Sequence, residues 1–106
     1  MELRQNPRFP LLCPISFAGD NITGTGTVMN VSLGGWKIVG NQDVPQGAYL
    51  EMRVGLPDND PPMKVELAVV RWSKGREFGA EYLRMDADQK KRLRQFVQTL
   101  QGGPSP

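Results

Sequence analysis

From Leu11 to Met85 the apolar residues fall at alternate positions or in short runs bounded by turn residues, and from Asp86 onward they recur every third or fourth residue. The first rhythm predicts strands and the second a helix. "LLCPISF" (11–17) reads as a first strand, with Pro14 marking an edge or a bend. "AGDN" (18–21) is a turn, and "ITGTGTVMNVS" (22–32) a second strand, interrupted by Gly24 and Gly26 as at a bulge or strong bend. "GWKIVG" (35–40) is a third strand, followed by the loop "NQDVPQG" (41–47). "AYLEMRVGL" (48–56) sets Tyr49, Glu51 and Arg53 against Leu50, Met52 and Val54, a fourth strand with one apolar face. "PDNDPP" (57–62) is a loop; "MKVELAVVRWSK" (63–74) and "REFGAEYLRM" (76–85) are strands joined tightly around Lys74-Gly75, a hairpin.

Beyond Asp86, Leu93, Phe96, Val97 and Leu100 mark one helical face, with Asp86 and Gln89 spaced as a capping box and Gly102-Gly103-Pro104 as a stop. Six strands and a final helix predict an all-β chain: a small antiparallel barrel covered at one side by that helix. Residues 1–10, with Pro7 and Pro10, read as an arm; 11–101 form the barrel plus helix, and 102–106 a disordered tail.

Composition narrows the chemistry more than the fold. The 106 residues suffice for one core, and the net charge of +2 is too small to name nucleic acid or membrane as a partner. With no histidine and one cysteine, Cys13, an imidazole base, a Cys–His nucleophile and a structural zinc site all drop out. Glu51, Glu66, Glu77 and Glu81 lie in strands with no spacing that selects a catalytic pair, and Asp58-x-Asp60 lacks the glycine and distal glutamate of a calcium loop. No enzyme activity and no cofactor are expected. No apolar run approaches the roughly 20 residues that span a bilayer, and the first ten residues lack the apolar core of a secretory leader. The lone cysteine favours a reducing cytoplasm.

Candidate chemistry gathers at two places. Arg4 and Arg8 are four residues apart on the arm, so both planar forks can converge on one compact anion. A guanine edge, with its N7 and O6 acceptors, suits the same fork. Asn30 and Ser32 are two apart and project from the same face of a strand; Gly34 and Gly35 let backbone approach a planar ring and can take positive φ. Trp36 offers either a stacking surface or an anchor for the barrel. The Lys90–Arg94 cluster is read as the outer face of the terminal helix, with a basic patch as the alternative.

Arg4-x-x-x-Arg8 followed by Asn30-x-Ser32-x-x-Gly35 resembles the RxxxR and (D/N)xSxxG motifs of the PilZ domain family. The likeness runs along the chain, through "NPRFPL", "NVSLGG" and "FGAEYL" to the short helix. It implies a six-stranded antiparallel split barrel that binds cyclic di-GMP. Arg4 and Arg8 would grip phosphate and guanine, and Asn30, Ser32 and Gly35 would meet the other guanine and its sugar-phosphate. The family's role as an adapter implies a protein effector, which nothing in the sequence names; Leu3, where a second ligand would favour a cation, leans the stoichiometry to one per chain. Two other readings stay open: a ligand-independent interaction module on the same barrel, and a single-stranded nucleic-acid barrel. The last needs aromatic and basic residues interleaved on adjacent strands, and the chain has no such cluster, so DNA and RNA rank last.

Overall fold

The computed structural model describes residues 9–31, 35–56 and 61–102. Within them lie β1 (Phe9–Gly19), β2 (Ile22–Val31), β3 (Gly35–Gly40), β4 (Tyr49–Val54), β5 (Met63–Lys74), β6 (Glu77–Arg84) and α1 (Ala87–Gly102). The strands close into an antiparallel barrel in the order β1-β2-β3-β6-β5-β4. Closure gives each of the six described strands a neighbour on both sides, the contact of β1 with β4 being limited to Ile15–Ala18, which shortens the open edges that could template aggregation.

Alternation sets what fills the barrel. Cys13, Ile15 and Phe17 of β1, Leu50, Met52 and Val54 of β4, and Trp36 and Ile38 of β3 all point inward and are buried. Phe17 and Phe78 meet edge to face across the interior, with ring centroids 5.4 Å apart and planes at 79°. Such contacts add to the burial of both rings. The helix presents buried Leu93 and Val97 to the same core, with Phe96 partly buried beside them, so the change of period at Asp86 marks where the chain turns to cover the barrel.

Three local features refine the sequence pattern. The β2–β3 register slips between Val28 and Asn30, while β1 and β2 pair without interruption through Gly24 and Gly26. The glycines answer a space constraint instead: a Cβ at Gly24 would lie 2.7 Å from the Phe17 ring, and one at Gly26 would strike the Val39 carbonyl. Pro14 lies at the boundary of the β4 ladder, which begins at Ile15, and just after the register shift of β1 between Pro10 and Cys13; its carbonyl accepts from Gly55 N–H at 2.9 Å. At the helix start the Asp86 carbonyl accepts the Lys90 N–H at 2.9 Å, as an N-cap carbonyl does, but the buried Gln89 Oε1 has no hydrogen-bond partner among the described residues. The capping box is therefore not closed through that oxygen.

The β5–β6 hairpin fixes the register of the sheet beside the candidate site. Lys74 pairs with Glu77, which leaves the two-residue connection Gly75-Arg76, and Gly75 has φ of 64°. Positive φ at the first central residue alone is the II′ arrangement, which matches strand twist and favours glycine there. Gly75→Ala is expected to destabilise the fold by about 1 kcal/mol through the left-handed backbone, measured as a lowered urea midpoint.

Candidate functional site

The ends of four strands meet at one rim of the barrel. Phe9 of β1 pairs with Val31 of β2, Val31 with Trp36 of β3, and Trp36 with Ala80 of β6. The adjacent row runs Pro10, Asn30, Lys37, Gly79 and Trp72. Val31, Trp36 and Ala80 are buried in the core, so the neighbouring row faces outward. Asn30 thus stands on the outer wall of the rim, beside the start of β1.

Of the residues singled out from sequence, Asn30, Gly35 and Trp36 are placed here; Arg4, Arg8, Ser32 and Gly34 lie outside the described residues. The register still bears on them through their neighbours. Phe9 follows Arg8 in the chain, Val31 precedes Ser32, and these two are paired.

Gly35 opens β3 opposite Glu81, and its φ is not positive. Its lack of a side chain is a matter of room: a Cβ there would lie 2.5 Å from the Ala80 carbonyl oxygen. Backbone on both sides makes that clash hard to relieve. Gly35→Ala is expected to cost about 1–3 kcal/mol, the usual range for overpacking, seen as a lower denaturation midpoint before any ligand is added.

Trp36 takes the anchoring role of its two alternatives. It is 1% exposed, and its ring meets Tyr82 edge to face at 4.8 Å and 78°. Its Nε1 is buried with no hydrogen-bond partner among the described residues, so packing alone holds an indole that would ordinarily use its donor.

The pairing also brings forward Lys37, which the sequence pattern does not single out, and Trp72, which reads from sequence as a packing residue with stacking on a guanine as the alternative. Lys37 stands next to Asn30 and makes an ion pair with Glu77 at 3.6 Å. Trp72 is 37% exposed, and its indole occupies the space above Gly79 where a Cβ would otherwise project. An aromatic laid over a cross-strand glycine covers bare backbone and fixes the ring. Gly79→Ala is expected to lift the indole into solvent, read as a red shift in tryptophan emission. The hairpin at Lys74-Gly75 was the available signal for this stack, since it sets Trp72 opposite Gly79.

The carboxylates behave as solvent-facing partners of cations. Glu81 accepts from Arg71 Nε, and Glu51 lies 3.7 Å from Lys64. No group of three or more acidic, histidine or cysteine residues suited to a metal occurs among the described residues. Arg71 is thereby tied to the strand that faces Gly35.

The model of the PilZ domain family matches residues 2–99. The chain belongs to the PilZ domain family. Solved structures agree on the PilZ barrel. The structure of the Bacillus subtilis inhibitor of motility MotI/DgrA superposes with a TM-score of 0.77 at 22% identity, over 98% of this chain and 53% of that one. The PilZ domain of YcgR from Escherichia coli, solved with c-di-GMP, gives 0.73 at 13% identity, over 94% of this chain and 92% of that one. The PilZ domain of CeSA from a cellulose-synthesizing bacterium gives 0.70 at 17% identity, over 90% and 98%. At these identities the likeness establishes the fold. The chain spans about half the length of MotI/DgrA. Among curated proteins nothing matches.

Proposed function

We propose that the chain is a cyclic di-GMP receptor that signals to a partner protein through its ligand-bound form. The observation that carries this reading is the pairing of Phe9 with Val31 and of Pro10 with Asn30. It joins the strand end next to Arg8 to the strand end next to Ser32. Consecutive Cα atoms are about 3.8 Å apart, so each of the two motif residues is a single chain step from a paired position. That pairing supports a reading in which RxxxR and NxSxxG serve one rim from adjacent strands.

The division of labour follows from the groups present. Arg4 and Arg8 supply forks for phosphate oxygens and for the N7/O6 edge of guanine. Asn30 and Ser32 supply short donors and acceptors on the opposite wall. Gly34 and Gly35 leave that wall free of side chains, and Trp36 acts from beneath by holding the start of β3. Trp72, exposed in the same outward row as Asn30, is placed to cover a base face. Binding draws the arm ahead of β1 against the rim, at an entropic cost that the charged contacts offset, and this changed surface is what an effector reads. One ligand per chain is the stoichiometry of this reading.

PilZ domains act by binding and not by catalysis, and nothing at the rim calls for a cofactor. Among the described residues no helix is long and apolar enough to cross a membrane. The test is titration calorimetry of the purified chain with cyclic di-GMP, the linear dinucleotide pGpG and a short single-stranded RNA. Tight binding of the cyclic compound alone is the expected result. Equal binding of all three would mean a generic polyanion surface, and binding of none would leave an interaction module without ligand.

A further inference from the structure

We propose a second recognition site on the opposite flank of β6: a cleft that docks an acidic segment of a partner protein by way of one apolar side chain. This site stands whether or not the rim binds cyclic di-GMP. The cleft encloses about 300 Å³ between the end of β6 and α1. Its principal walls are Tyr82, Leu83 and Arg84 on one side and Lys90, Leu93 and Arg94 on the other.

Charge is the first argument for the occupant. Three of the lining residues are cations and none is an acid. Arg84, Lys90 and Arg94 take part in no ion pair among the described residues, whereas Lys37, Lys64 and Arg71 on the barrel wall each face a glutamate on a neighbouring strand. Three uncompensated cations around one concavity repel one another and attract an anionic guest.

Shape and polarity choose among anionic guests. Lys90 and Arg94 are one helical turn apart, about 5–6 Å between Cβ atoms, so their charges lie along a line. Phosphate sites instead gather free N–H donors at a helix N-terminus or a backbone nest; this cleft is walled by side chains of a strand end and of the first two turns of α1, where the Lys90 N–H is already bonded to the Asp86 carbonyl. Its floor is apolar: Leu83 is 47% exposed and Leu93 is 3% exposed. An extended segment with one leucine-sized side chain flanked by carboxylates satisfies the floor and the rim together. The apolar anchor would supply desolvation, while the rim charges would set the rate of encounter and the salt dependence.

The probe is a fluorescein-labelled synthetic peptide of aspartates and glutamates around one central leucine, added to the full chain. Anisotropy should report binding that weakens as salt rises, and amide resonances of Leu83, Arg84, Lys90 and Arg94 should move. The triple variant Arg84→Glu, Lys90→Glu, Arg94→Glu should lose affinity by about tenfold or more, in keeping with reversed charge complementarity. Arg84→Gln, Lys90→Gln, Arg94→Gln, which spares the fold any new charge, should lose part of it. A peptide with serine for the leucine should bind more weakly than its parent. No binding, resonances moving elsewhere, or an unaffected triple variant would each overturn the proposal. So would displacement of the peptide by pyrophosphate or cyclic di-GMP at equal concentration, since the cleft would then be a phosphate site.

Discussion

Replacing Arg8 by alanine is expected to weaken cyclic di-GMP binding by about 2–5 kcal/mol, the range for truncating one partner of a hydrogen-bonded charge pair. In calorimetry this is a loss of thirtyfold or more, since each 1.4 kcal/mol or so is about tenfold. The residue precedes Phe9, whose backbone pairs with Val31, and on the proposed reading its charge serves the ligand. Removing it should leave the unfolding midpoint of the ligand-free chain nearly unchanged. Arg8→Lys keeps the charge and gives up the planar fork, and an intermediate loss is expected. Affinity unaltered in Arg8→Ala would detach this residue from the ligand.

The second large effect is on stability. Trp36→Ala should lower the unfolding free energy by about 3–5 kcal/mol, as large aromatic truncations in cores do. Domains of this size are stable by only about 5–15 kcal/mol, so the variant would be close to unfolding at ordinary temperature. The cause is the 1% exposure of Trp36 and its edge contact with Tyr82, which a methyl group cannot replace. The unpartnered Nε1 adds a contrast. Trp36→Phe gives up a donor that makes no bond among the described residues, so its cost should come from lost volume alone and be much smaller. A urea series on both variants, at matched tryptophan-independent signal, measures the difference. Equal destabilisation by Phe and Ala would mean that the indole nitrogen carries the contribution and that packing does not.

The six strands and the core were largely legible in the sequence because alternation is a physical consequence of a closed barrel with one buried face. "AYLEMRVGL" shows it plainly: Leu50, Met52 and Val54 are inside, and Tyr49, Glu51 and Arg53 outside. Where the barrel must curve, the pattern loses its phase. In β5 the alternation holds through Val65, then Ala68, Val69 and Val70 are buried in succession, and the pairing shifts register between Leu67 and Ala68 and again between Val70 and Trp72. Such shifts answer closure of the whole sheet, which no single strand encodes. The start of β1 was invisible for a similar reason. Phe9 and Pro10 are strand residues because Val31 and Asn30 pair with them, not through any rhythm of their own.

The candidate site divides along the same line. The two motifs were readable as residue types at fixed spacing, and the pairing of β1 with β2 brings together Phe9 and Val31, the chain neighbours of Arg8 and Ser32. The environment of Gly35 was not readable, because the Ala80 carbonyl that excludes a Cβ arrives from β6, far along the chain. Nor was the basic cleft. Lys90 and Arg94 look like an ordinary solvated helix face until the turn at Asp86 folds that face back on Arg84. Trp72 gained its place in the row of Asn30, three strands away, only through three successive strand pairings.

The most direct test of the account is an amide-resolved NMR titration of the chain with cyclic di-GMP. The predicted result is a contiguous set of shifted resonances at Arg4, Arg8, Asn30, Ser32, Gly34 and Gly35, with the indole of Trp72 moving beside them. Saturation that leaves those positions still, with shifts confined to the other end of the barrel around Thr23, Thr25 and Asn41, would contradict it.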